Sequence, residues 1–77
     1  MLLDQRFENQ QKGRYYRLIL AKDLFGDWIV TRAWGGIGKA GGRIIHAPCP
    51  SYEDGVSLFQ KFAKTRKQRG YQLCEMQ

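Results

Sequence analysis

Two kinds of hydrophobic pattern occur along this chain, and they occupy separate stretches. Residues 2–9 are polar with only weak alternation, which reads as an edge strand, and Gln10-Gln11-Lys12-Gly13 closes it as a turn. Arg14–Lys22 carries Tyr15, Tyr16, Leu18, Ile19 and Leu20; it is rich in β-forming residues and apolar on both faces, as an inner strand would be. Asp23-Leu24-Phe25-Gly26-Asp27 is a hairpin-like connection to a third strand over 28–34. There the residues alternate into Trp28, Val30, Arg32 and Trp34 on one face and Ile29, Thr31 and Ala33 on the other, and the smaller set is expected to lie beneath a helix. Residues 35–42 hold five glycines in eight positions; this reads as the most flexible stretch, a loop that needs unusual backbone angles or close approach to something. A short strand over 43–47 is stopped by Pro48 and Pro50.

Helical periodicity is confined to 51–69. Ser51 and Asp54 have the Ser-x-x-Asp spacing of a helix start, and the acidic first turn suits the helix dipole. Tyr52, Val56, Phe59, Phe62 and Ala63 recur at i, i+3 and i+4 spacing and make one apolar face. Gly70 stands where a helix-ending glycine belongs, and 71–76 alternates as a last strand. The pattern predicts an α+β fold: an antiparallel sheet of about five strands with one α-helix packed across one face, in a single domain covering 1–77.

Composition changes the picture in two places. Aromatic residues make up 13% of the 77, so they can build a core in a chain short of aliphatics. Thirteen Lys and Arg against seven Asp and Glu leave a net charge of +6, which on so small a domain implies an anionic partner, nucleic acid foremost. No apolar run is long enough to span a bilayer, and Met1-Leu2-Leu3-Asp4 does not open like a signal peptide, so a cytoplasmic protein without a membrane role is expected. Cys49 and Cys74 with His46 fall short of the four ligands of a structural zinc site, so two reduced cysteines and no metal are expected.

His46 has no evident nucleophile beside it, and no paired carboxylates stand out, so the sequence does not read as an enzyme and implies no cofactor or small-molecule substrate. The glycine loop lacks the Gly-x-x-x-x-Gly-Lys-Ser/Thr pattern of a phosphate loop. The basic helix end is different. Lys61, Lys64, Arg66, Lys67 and Arg69 include no compensating acid, which is more charge than capping needs. Trp34 closes a strand just before the glycines, with Arg32 on the same strand face and Lys39 and Arg43 flanking the loop.

The stretches Asp23-Leu24-Phe25-Gly26, Trp28, and Arg32-Ala33-Trp34-Gly35-Gly36-Ile37-Gly38 resemble the signature of WGR domains. Such domains occur beside the catalytic region of DNA-damage-activated poly(ADP-ribose) polymerases and in small bacterial proteins that stand alone. Tyr15-Tyr16-Arg17-Leu18 resembles the family's inner strand, and the helix ending in Gly70-Tyr71 its terminal half. One departure matters: Gly36 sits where the family has the Arg of Trp-Gly-Arg. The resemblance implies that Trp34 packs on the exposed sugar of a DNA strand break, while no residue inherits the role of the Arg.

Together these readings point to a nucleic-acid-binding module, DNA favoured, with little sequence specificity. Its contacts would come from Trp34, Arg32, Lys39, Arg43, Lys61, Lys64, Lys67 and Arg69. The competing reading is a protein-interaction module that sets its basic helix or a sheet edge against an acidic protein.

Overall fold

The computed structural model describes residues 2–74. Four strands follow one another as an antiparallel meander: β1 (Leu3–Asn9), β2 (Arg14–Lys22), β3 (Trp28–Gly36) and β4 (Arg43–Cys49). The helix α1 (Tyr52–Gln68) crosses back, and a short β5 (Gln72–Cys74) pairs with β1, giving the sheet order β4-β3-β2-β1-β5. The expected α+β architecture of five strands and one helix is what forms. Of the last strand expected over 71–76, residues 72–74 are strand and 75–76 lie outside the described residues.

Three expectations fail. Pro48 does not stop β4: it pairs opposite Ile29 and Cys49 opposite Trp28, because β4 is an edge strand, where a missing N–H can face away from the sheet. β1 is not an edge strand: it pairs with β2 on one side and β5 on the other, so β4 and β5 are the edges. Its polarity reflects one face open to solvent rather than an unpaired side. The helix also covers the opposite face of β3 from the one expected. The large set faces α1, with Val30 fully buried and Trp28 and Trp34 packed against the core, while Ile29, Thr31 and Ala33 face away. The helix has small residues, Gly55 and Ala63, on its buried face, so the bulky side chains of the sheet are taken up beneath it.

Phe7, Tyr16, Leu18, Leu20 and Val30 from the sheet meet Phe59 and Ala63 from the helix to form the core. Gly55, in the second turn of α1, sets how near the helix comes; a Cβ there would lie 2.6 Å from Leu20 Cδ1. The helix ends are made as the sequence predicts. Ser51 accepts a hydrogen bond from the Asp54 N–H at 3.1 Å, and its own hydroxyl donates to the Asp54 carboxylate at 3.1 Å. At the other end Gly70 has φ +88°, and the N–H groups of Gly70 and Tyr71 donate to the carbonyls of Lys67 and Arg66. That Schellman turn reverses the chain so that Tyr71 folds back under α1 and β5 can reach β1.

The first half of the glycine loop is tied down by backbone hydrogen bonds. Ile37 N–H donates to the Gly13 carbonyl in the β1–β2 turn at 2.9 Å, and Lys39 N–H to the Gly36 carbonyl at 3.2 Å. No helix among the described residues is long and apolar enough to cross a membrane.

Candidate nucleic-acid interface

Strand alternation places Trp34 on the helix-covered side of the sheet, at the end of β3 where the cover of α1 runs out. It is half-buried. Its cross-strand neighbour is Tyr16, and the two rings lie nearly parallel, 11° apart with centroids at 5.7 Å. Tyr71 meets Tyr16 edge-on at 6.4 Å. Two arginines are laid into this aromatic row. The Arg32 guanidinium sits 4.4 Å from the Phe62 ring centre and 5.7 Å from that of Trp34. Arg66 sits 4.4 Å from Tyr16 and 5.4 Å from Tyr71. Cations held on ring faces in this way keep their charge while much of their water is stripped away. Arg32 Nε is buried with no hydrogen-bond partner, so the rings fix this group in place without satisfying it.

Arg43 begins β4 directly across from Trp34 and is exposed. Cross-strand partners share a face, so its side chain leaves the sheet on the same side as the indole. Lys39 reaches the same side from the loop. Gly36 alternates onto the Trp34 face, and a Cβ there would lie 3.0 Å from Lys39 Cδ; the lysine stem covers the space a side chain at 36 would take.

The other glycines serve the chain's own packing more than access to the indole, which corrects the simple view of an opened approach. Gly35 faces the opposite side, where the Tyr15 ring lies against it: a Cβ would meet Tyr15 Cε1 at 3.2 Å and Gly42 Cα at 3.3 Å. Gly42 adopts φ +111°, and a Cβ there would come 2.5 Å from the Trp34 carbonyl oxygen.

The basic helix end divides. Lys61, Lys64, Lys67 and Arg69 are all exposed. Lys64 and Lys67 line a groove with Leu3, Gln5, Phe59 and Gln60, on the β1 side of α1 and away from Trp34. Arg66 turns to the aromatic row instead. Sequence reading passed over Arg66 as a site residue, although the signal was present: it follows Phe59 and Phe62 by seven and four positions and so falls on the apolar helix face. Tyr16 and Tyr71 were likewise missed as supports for Trp34.

The face without the helix is electrostatically quieter. Arg17 donates to both carboxylate oxygens of Asp4, at 2.6 and 3.0 Å, and Arg6 donates to Glu8 at 2.9 Å. The hydrogen bonds from Arg17, outweighing partial burial, hold the Asp4 carboxyl below its usual range. Cys74, on the same face, has its thiol raised, first by burial and then by the nearby Glu8 charge. Cys49 and Cys74 are free thiols on opposite edge strands. His46 shares a 2.8 Å hydrogen bond with Thr31 across the β3–β4 pair. Among the described residues, no three His, Cys, Asp or Glu side chains are grouped so as to hold a metal.

Comparison with known proteins places this geometry. The uncharacterized protein y4dW of Sinorhizobium fredii is 35% identical over 63 residues, which is 82% of this chain and 30% of the relative. The chain therefore spans less than a third of the length of that curated relative. The WGR domain family matches residues 1–76, and WGR domains are nucleic-acid-binding modules. With the family match running through every element of the fold, this chain belongs to the WGR domain family.

Proposed function

We propose that this chain is a non-enzymatic binding module, one WGR domain over 1–77, that holds DNA at strand ends or breaks with little sequence specificity. The observation that carries the reading is the position of Trp34: a half-buried indole at a strand end, backed by Tyr16 and surrounded on one side of the sheet by Arg32, Arg43, Lys39 and Arg66. Cations spaced around an aromatic ring suit a sugar-phosphate backbone, with phosphates held by charge and a sugar or base packed on the ring. Among the described residues no base-reading helix projects from the fold: α1 lies flat on the sheet, which favours backbone contacts over sequence readout.

The test is a titration with blunt, nicked, single-stranded and closed-circular DNA at several salt concentrations. Ends or nicks should bind most tightly, and affinity should fall steeply with salt. Since Trp34 also packs on Tyr16, the informative variant is Trp34→Leu, which keeps an apolar side chain against Tyr16 and removes the flat ring. An aromatic contact with a nucleotide contributes about 1–3 kcal/mol, so binding should weaken about 5- to 150-fold with melting little changed. A folded Trp34→Leu protein that binds as well as the parent would remove the indole from the site.

A further inference from the structure

A helix about 10 Å across covers about two strands of a sheet whose strands lie about 4.8 Å apart, and α1 lies mainly over β2 and β3. The first half of β1 is left beside it. Leu3, Gln5 and Phe7 alternate onto the helix-covered face of β1; Phe7 belongs to the core, whereas Leu3 and Gln5 stay half-buried. Between these two residues and α1 runs a groove of about 430 Å³. Leu3, Phe59 and Ala63 give it an apolar lining. Gln5 contributes an amide from the strand, and Gln60, Lys64 and Lys67 line it from the helix.

The fold does not use these lysines. They stand one turn apart on the same flank of α1, both exposed, and among the described residues neither has an ion pair. No acid lines the groove. The carboxylates of β1, Asp4 and Glu8, alternate onto the opposite face and are held there by Arg17 and Arg6. Glu53, an acid on the same flank of α1, is eleven positions from Lys64, about 16 Å along the helix axis. The groove therefore joins an apolar lining to two cations that the chain leaves unneutralised. We propose that it is a docking site for an acidic peptide segment of a partner protein. The peptide sets an apolar side chain against Leu3, Phe59 and Ala63 and its carboxylates against Lys64 and Lys67.

Chemistry separates this occupant from a nucleic-acid strand. A strand bound without sequence readout gains from charge and from stacking on rings. The groove offers the charge but no ring face: Phe59 is 3% exposed, and the rest of the apolar lining is aliphatic. A phosphate backbone on the lysines would leave the apolar surface uncovered, whereas an acidic peptide uses both. The Gln5 and Gln60 amides, each donor and acceptor, suit the N–H and C=O groups of a peptide main chain. The groove lies on the other flank of α1 from Trp34, so this docking needs neither the indole nor the cations around it.

The test is nuclear magnetic resonance of the whole isotope-labelled chain, titrated with a synthetic peptide in which one Leu is flanked on each side by a pair of Glu. Backbone amide signals of residues 3–5 and 60–67 should move while that of Trp34 stays in place. Lys64→Gln with Lys67→Gln removes two exposed charges without touching the core, and should weaken the peptide about 2- to 30-fold. A peptide with Ser in place of its Leu should bind about tenfold less tightly. An oligonucleotide of the same charge should leave the groove signals where they are. Groove signals that stay still at millimolar peptide overturn the proposal, as does full affinity in the double variant or for the Ser peptide. If the oligonucleotide moves the groove signals as far as the peptide does, the groove belongs to nucleic acid and the proposal falls. Trp34→Leu should leave peptide binding unchanged, so failure of either reading leaves the other standing.

Discussion

At the scale of single residues, the fold depends on side chains that are missing as much as on those present. Gly55 sits in a helix, where alanine would ordinarily be preferred by about 1 kcal/mol. Here the added methyl would lie 2.6 Å from Leu20 Cδ1, closer than the core can accept unchanged. Gly55→Ala should therefore destabilise by about 1–3 kcal/mol, read as a lower urea midpoint, despite its better helix propensity. A gain in stability would mean that Leu20 moves aside freely. This position also shows what residue-level reading of a sequence misses. A glycine at the second turn was visible, but that it faced a core leucine depended on which side of the sheet the helix chose. For the same reason the candidate site was legible only in part. Trp34, Arg32, Lys39 and Arg43 stand on one side of the sheet by strand alternation and loop position, both accessible from sequence. Their backing by Tyr16, Tyr71 and Arg66 depends on cross-strand register and on the Schellman turn, which spacing along the chain does not reveal.

At the scale of elements, the sequence located each strand and the helix to within a few residues, from β-forming composition and turn residues as much as from alternation, and from 3.6-periodicity in the helix. What periodicity did not settle was adjacency. The polarity of β1 suggested an edge, yet the three residues of β5 are enough to cover it, and a strand so short carries almost no pattern of its own. The charged residues that gave that impression are paired within the open face. Asp4 is held below the usual carboxylate range chiefly by the hydrogen bond from Arg17, so the folded state favours its ionised form. The stabilisation is then present above the unfolded carboxylate range and is lost as pH falls through the lowered folded value. Both groups are partly exposed, which limits the pair to about 0.2–1 kcal/mol. Asp4→Asn should cost that amount in urea unfolding near neutral pH, and the difference from the parent should vanish in strong acid. A cost that persists unchanged in acid would mean that packing, rather than charge, accounts for it.

At the scale of the whole molecule, six of the cations fall into two banks. One bank, Arg32, Arg43, Arg66 and Lys39, surrounds Trp34; the other, Lys64 and Lys67, lines the groove on the β1 side of α1. If DNA meets the Trp34 bank, removing Arg43 should lower the salt dependence of binding by about one phosphate's worth, whereas Lys64→Ala with Lys67→Ala should change it less. Equal losses from both banks would indicate a ligand that wraps the helix. The net charge was legible from composition; its partition was not, because residues one or two apart on a helix leave it in different directions.

The β1–β5 pairing has a mechanical meaning. β5 runs antiparallel to β1 with Arg6 opposite Cys74 and Glu8 opposite Gln72, so the chain entering β1 and the chain leaving β5 lie at the same end of two neighbouring strands. Tension applied through those two points loads the hydrogen bonds between β1 and β5 one after another, like a zipper, instead of shearing them all at once. A three-residue strand opened in that way gives at low force, and α1, tied to β5 by Tyr71, is the next element to be pulled from the sheet. In a longer protein, strain between flanking segments would then reach the Tyr71–Arg66–Tyr16 support of Trp34 before it disturbed the four-stranded meander.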